Sequence, residues 1–309
     1  MMKSTTAGCY SCIGAFLAWV LPWILLFSIP VHLVAQEGDP EEPSAPPAQE
    51  AEDRSPLAEA RELVRQGQYP EAAAILGELH EARLDDAGFL AFYGEVLVAS
   101  GNTKEAVPVL ERALLVDPQR PRLHFQMGTA LSELGDLDEA LNSFSCEIEV
   151  NEDPEVRFLS RINSSILLKR QRLWVDAARE LEDALRLQPD HPDAYGDLAS
   201  IYLSAGNAPD AAGALERGEP LGFRSAHLYF NVGARFYNDH GYPEAEKLFR
   251  KALEIRPEMA EAERSLGSTL FHLGRAEEAR RHLDRYLELK PDAPDAQEIR
   301  EQVDALPGS

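Results

Sequence analysis

The chain of 309 residues carries eight histidines, three cysteines and 53 acidic side chains, the groups from which a catalytic or metal centre is built. No two histidines fall at the i, i+4 spacing that turns both imidazoles to one helical face, so a helix-borne metal site is not expected. His124, His227 and His272 fall on predicted helices and read as surface or groove residues. Acidic side chains are spread along outer helical faces, where they solvate the chain, and none is set apart as a general acid or base. There is no phosphate-cradling glycine loop and no nucleophile elbow. Cys9 and Cys12 lie in an apolar leader, which leaves Cys146 as the one later thiol and no intramolecular disulfide once the leader is removed. The expectation is a chain without catalysis, metal or small-molecule cofactor.

The polar groups that stand out suit recognition instead. Asn163 and Asn231 each offer a carboxamide, donor and acceptor together, which matches an extended peptide unit without reading its side chain. Asn163-Ser164-Ser165 also matches a glycosylation sequon, but it lies within a predicted helix. Beside the apolar stripe Leu159, Ile162 and Ile166 stands Lys169-Arg170-Gln171-Arg172, the densest basic run of an acidic chain. These cations either attract acidic groups of a partner or complement the negative end of the helix that carries them.

The formal charge is −23; residues 1–35 hold one Lys and no acid, so the chain beyond them carries −24. Such a surface repels nucleic acid and anionic lipid, and a protein or peptide is the expected partner. Residues 1–35 read as a targeting segment: residues 13–35 are almost free of polar side chains and end at Leu33-Val34-Ala35. Two readings stay open. One is a cleaved signal peptide, favoured by the breaks at Pro22 and Pro30; the other is a retained signal anchor, since roughly 20 apolar residues span a bilayer. Either places the remainder outside the cytoplasm, periplasmic or secreted or membrane-anchored, with membrane contact only through residues 13–35 if they are uncleaved. Residues 36–52, rich in Pro, Glu and Ala, lack the apolar side chains that would offset ordering entropy and are expected to form a disordered acidic linker.

From residue 53 the pattern becomes periodic. Leu90, Tyr93 and Leu97 recur at helical spacing, a turn follows at Ser100-Gly101-Asn102, and Ala106, Val109, Leu110 and Ala113 form a second stripe before Asp117-Pro118. Neither helix buries its stripe alone. Ala72, Ala106 and Ala140 are 34 residues apart, as are Ala177, Ala211, Ala245 and Ala279, with one gap of 37 between Ala140 and Ala177. Gly94 and Gly128 repeat the interval, as do Gly233 and Gly267, and prolines at 118, 189, 257 and 291 close units in the same phase.

This pattern resembles the tetratricopeptide repeat, in seven units at 53–86, 87–120, 121–154, 158–191, 192–225, 226–259 and 260–293. Ala60, Ser165 and Ala199 depart from the glycine position, and Leu84, Glu152 and Phe223 from the proline. The resemblance implies an all-α fold, an alpha-alpha superhelix. Residues 294–309 are expected to supply a capping helix, with Ala296, Ile299, Val303 and Leu306 against the last unit, since a repeat stack otherwise exposes its final apolar face. The three-residue insertion is expected to lengthen the first helix of the fourth unit from Asp153-Pro154. The cluster Gly218-Glu219-Pro220-Leu221-Gly222 is expected to end the second helix of the fifth unit early.

The resemblance further implies that first helices line a concave face, with Phe125 and Thr129, Ile162 and Ile166, Gly196 and Ser200, Phe230 and Ala234, Arg264 and Ser268 pointing into it. Ile162 and Ile166 fit equally well as internal packing. Asn163 and Asn231 occupy positions where related peptide-binding repeats hold a ligand backbone. The cationic clamp of some family members would want Lys and Arg on the following unit, but Asp193 and Asp197 stand there. The functional expectation is a non-enzymatic scaffold outside the cytoplasm. Its candidate partner-binding residues are Phe125, Leu159, Ile162, Asn163, Ile166, Lys169, Arg170, Phe230 and Asn231. The alternative is an accessory subunit of an envelope protease or glycosyltransferase complex.

Overall fold

The protein is described by a computed structural model over residues 55–305, so the expected leader, the acidic linker and Leu306 lie outside the described residues. Fifteen α-helices and one short 3-10 turn make up the described chain, with no strand among these residues. Two compact units are distinguished, one ending at Ser160 and the other beginning at Arg161.

In the amino-terminal unit lie α1 (Pro56–Arg65), α2 (Tyr69–His80), α3 (Ala87–Ala99), α4 (Thr103–Val116), α5 (Leu123–Leu134) and α6 (Leu137–Val150), each packed on its neighbours in sequence. The helix α7 (Pro154–Arg170) contains the boundary. The carboxyl-terminal unit continues through α8 (Trp174–Leu187), α9 (Pro192–Ser204), α10 (Ala208–Gly218), α11 (Ala226–Asn238), α12 (Tyr242–Ile255), α13 (Ala260–His272), α14 (Ala276–Leu289) and α15 (Ala296–Ala305).

The turns obey a rule that the glycine and alanine spacings do not reveal. A left-handed residue ends each odd-numbered helix from α1 to α13: Gly67, Gly101, Gly135, Arg172, Gly206, His240 and Gly274. The intervals are again 34, with the single 37 between Gly135 and Arg172. At six of these ends the next N–H reaches back five residues to a helix carbonyl, as Asn102 N does to Leu97 O at 2.8 Å, which satisfies an orphaned carbonyl and reverses the chain within four residues. Arg172 and His240 take this conformation, at φ 62° each, without glycine's freedom.

Close approach of the paired helices follows from small residues. The seven alanines of the 34-residue series, Ala72, Ala106, Ala140, Ala177, Ala211, Ala245 and Ala279, are each 0% exposed. A Cβ added at Gly94 would lie 2.5 Å from Leu110 Cδ2, so a side chain there would force the hairpin open. At the insertion α7 runs for 17 residues, and the Asp153 carboxylate accepts from Glu155 N at 2.9 Å to start it.

Two polar devices were not foreseen. Arg122, at φ 69°, supplies no side-chain cap to α5, and Glu147 from α6 does so instead. Its buried carboxylate accepts from Arg122 N at 2.8 Å, from Phe125 N at 2.9 Å and from Asn151 Nδ2 at 2.6 Å. His124, expected at the surface or in a groove, is 5% exposed, and its Nε2–H donates to Pro118 O at 3.2 Å. It closes the loop before α5, so burial holds its pKa below the ordinary histidine value, with Glu147 opposing the shift.

At the carboxyl end Ala296, Ile299 and Val303 are buried, the latter two among Leu283 and Tyr286 of α14. Tyr286 donates to Asp295 at 2.5 Å and Arg264 pairs with the same carboxylate at 2.8 Å, latching α15 onto the last hairpin.

Candidate functional site

In the carboxyl-terminal unit α9 packs directly on α11 and α11 on α13, so the first helices lie side by side. Between α9 and α11 opens a cleft of about 380 Å³ lined by Asp193, Gly196, Asp197, Ser200, Phe223, Ser225, His227, Leu228 and Asn231. Residues 193, 196, 197 and 200 form one stripe along α9, and 227, 228 and 231 a facing stripe on α11.

A local irregularity shapes one end of this cleft. α10 has 11 residues where its counterparts α8 and α12 have 14, and it passes into the 3-10 turn Glu219–Leu221. Gly222, at φ 102°, then redirects the chain, and Phe223 N bonds back to Gly218 O at 3.0 Å. The Phe223 ring is thereby laid on α9, where a Cβ at Gly196 would stand 2.2 Å from Cε2. Only glycine at 196 leaves room for it.

The cleft's electrostatics are set by Asp193 and Asp197, one turn apart. The surrounding protein displaces water from Asp197 and pushes its pKa up, Lys169 pulls it down, and the like charge of Asp193 raises it again. Lys169 Nζ donates to Ser200 Oγ at 3.4 Å. Across the cleft, Arg256 Nη1 meets His227 Nε2 at 2.7 Å. Asn231 is exposed, and its side chain makes no hydrogen bond within the described residues.

Of the nine candidate partner-binding residues, Asn231 alone lines this cleft, together with Gly196 and Ser200 of the groove-facing register. Ile162, Ile166 and Lys169 come together beside it, around a hollow of about 20 Å³ also lined by Asp197 and Ile201, room for no more than a water molecule. Ile162 packs partly into the core, whereas Ile166 is 37% exposed. Asn163 is half-buried on α7 and lines neither space; its sequon partners Ser164 and Ser165 are buried. Arg170 is exposed in the last turn of α7. Phe230 is half-buried with its ring 5.6 Å from that of Phe249, a packing role. Phe125 and Leu159, both half-buried, belong to the amino-terminal unit, where the Phe125 ring stands edge-on to Phe144 at 5.7 Å.

The groove-facing register selected Gly196 and Ser200, and Asp193 and Asp197 had stood out only as departures from a cationic clamp. His227, read from sequence as a surface or groove residue, lines the cleft, whereas Phe223 was not among the candidates. The signal for Phe223 was the breaker cluster Gly218–Gly222 together with a phenylalanine in the proline position.

Two tetratricopeptide-repeat profiles match this chain, one at residues 63–124, 97–145 and 170–228 and the other at residues 234–304. Human tetratricopeptide repeat protein 13 is 30% identical over 117 residues, 38% of this chain; the match spans only 14% of that protein's length. The C-terminal part of a TPR repeat-containing protein from Cytophaga hutchinsonii superposes with a TM-score of 0.51 at 16% identity, covering 68% of this chain and 83% of that one. A chain in the structure of Naa15/Naa10 bound to HypK-THB gives a TM-score of 0.58 at 14% identity, covering 82% of this chain and 39% of its own. At these identities the structural likeness speaks for the fold alone. The matching profiles and the helical hairpins, with buried alanines and left-handed turns in one phase, place the chain in the tetratricopeptide-repeat family.

Proposed function

We propose that this chain is a scaffold without chemistry of its own, which holds an extended segment of a partner protein in the cleft between α9 and α11. One observation carries the reading: Asn231, exposed in a cleft walled by two helices, lines it together with Ser200 and the α9 acids, and its carboxamide makes no hydrogen bond among the described residues. A carboxamide so placed can accept from one backbone N–H and donate to one carbonyl of an extended chain. A helical ligand has already spent those groups internally, which favours an extended one. The family membership supports a protein or peptide as the partner.

The test is site-directed photo-cross-linking. A photoreactive side chain at Leu228, within the cleft, should capture a partner that the same group at Val175, 78% exposed on α8, does not. Asn231→Ala should weaken that capture. Equal capture from both positions, or capture indifferent to Asn231, would count against the cleft.

We further propose that the scaffold works outside the cytoplasm, periplasmic, secreted or tethered. The support is the leader of residues 1–35 read from sequence; among the described residues no helix is long and apolar enough to cross a membrane. Fractionation of a Gram-negative host expressing the full chain should find it outside the cytoplasm, with Gln36 at the mature amino terminus if the leader is cleaved. Retention in the cytoplasm would refute both forms of this reading.

A further inference from the structure

One wall of the cleft carries two carboxylates, Asp193 and Asp197, a turn apart. We propose that the partner's extended segment carries a lysine or arginine whose cation sits between Asp193 and Asp197, with its aliphatic stem along Phe223 and Leu228. This rests on the cleft being the binding site and adds what the cleft selects.

The two carboxylates stand at i, i+4 on the α9 stripe that faces the cleft, where like charges repel. Neither enters a hydrogen bond or ion pair within the described residues. The groups that lower the Asp197 pKa, Lys169 and His191, are hydrogen-bonded elsewhere: Lys169 donates to Ser200, and His191 Nδ1 accepts from Ala194 N. Lys169 acts on Asp197 only through space, and the crowding that raises the Asp197 pKa outweighs it. A cation entering from the partner offsets the repulsion between the two carboxylates and the cost of holding Asp197 charged in that setting.

The walls match the rest of a basic side chain. Phe223 and Leu228 offer apolar surface in the same cleft, and long basic side chains lay their methylenes on such surface while keeping the charged end in polar surroundings. The ring of Phe223, packed against Gly196, lines the same cleft, within reach of a cation that enters it. The formal charge of −23 draws a basic segment from a distance. The partner charge implied here is opposite to the one that Lys169 and Arg170 suggest from sequence.

Selection from a phage-displayed library of random 12-residue peptides on the full-length protein tests this. Enriched peptides should share a lysine or arginine. Replacing that residue by norleucine or citrulline should cost at least tenfold in affinity for the wild type and little for the isosteric double variant Asp193→Asn/Asp197→Asn. The double variant should bind the unmodified peptides at least tenfold more weakly and with a flatter salt dependence. Peptides that need Asn231 but carry no basic residue, or that bind the double variant undiminished, would overturn the charge preference and leave the cleft reading standing. Peptides indifferent to both Asn231→Ala and Leu228→Asp, or no enrichment at all, would overturn the cleft reading and the charge preference together. Circular dichroism of each variant should match the wild type, so that lost binding is not lost folding.

Discussion

Glu147 is the residue whose removal most sharply tests the account of the amino-terminal unit. It is 0% exposed, and it accepts from Arg122 N, Phe125 N and Asn151 Nδ2 at 2.6 to 2.9 Å. Alanine at this position leaves two part-buried backbone N–H groups and the buried Asn151 amide without this acceptor. Each orphaned donor costs about 1–3 kcal/mol, partly recovered as water enters the vacated space. Loss of the negative charge at the start of α5 adds about 0.5–1 kcal/mol. Offset by the desolvation that the carboxylate itself no longer suffers, Glu147→Ala should destabilise by about 3–5 kcal/mol, the range for breaking a buried charged network. Glu147→Gln keeps one carbonyl acceptor and should cost about half as much. The exposed neighbour Glu149 on the same helix provides the control, since Glu149→Gln should change stability by less than about 0.5 kcal/mol. Urea unfolding followed by circular dichroism gives the energies, and hydrogen exchange at the Arg122 and Phe125 amides localises them. If the alanine variant loses less than about 1 kcal/mol and both amides exchange at the wild-type rate, Glu147 is not the cap of α5.

Other positions carry equally definite expectations. Arg172 holds a left-handed backbone at φ 62° with no side-chain hydrogen bond or ion pair among the described residues, so Arg172→Gly should stabilise by about 0.5–1 kcal/mol, whereas Gly101→Ala at the equivalent turn should destabilise; the same sign for both would refute the turn rule. Gly94→Ala drives a methyl to 2.5 Å from Leu110 and should cost about 1–3 kcal/mol, measured as a lowered urea midpoint at unchanged slope; an unmoved midpoint would contradict the close approach of α3 and α4. His124 has its pKa lowered from 6.5 by burial, so the folded chain takes up this proton less readily than the unfolded one. Its contribution is complete above about pH 6.5 and drains away as the pH falls through the folded pKa. The stability profile of His124→Gln should therefore be flatter than that of the wild type between about pH 7 and 5, and parallel profiles would show that the imidazole is not titrating in a buried site.

The hairpins were legible because close packing of two helices restricts residue type at the contact, and that restriction repeats. The alanine series and the glycines at 94, 128, 233 and 267 announce themselves by spacing, and each meets a large side chain sixteen residues on: Leu110, Phe144, Phe249 and Leu283. The left-handed turn series was as regular but hidden, because Arg172 and His240 occupy two of its positions and backbone conformation tolerates a non-glycine there at modest cost. Glu147 was illegible for another reason: a carboxylate capping a neighbouring helix looks in sequence like any acid on an outer face. The site was the least legible part. Asn231 could be selected because one position on one helix decides where it points, but the cleft depends on how Gly196, Gly222 and Phe223 meet across 27 residues, and no periodicity encodes that. Phe230, at a groove-facing register position, is half-buried with its ring 5.6 Å from that of Phe249.

The central claim is that the cleft between α9 and α11 receives an extended segment whose backbone is held by Asn231. A crystal structure of the protein with a display-selected peptide tests it most directly. The peptide should run along the cleft, with a backbone N–H and C=O within hydrogen-bonding distance of the Asn231 carboxamide. A peptide seated on the second helices, or one bound in the cleft as a helix with Asn231 untouched, would contradict it.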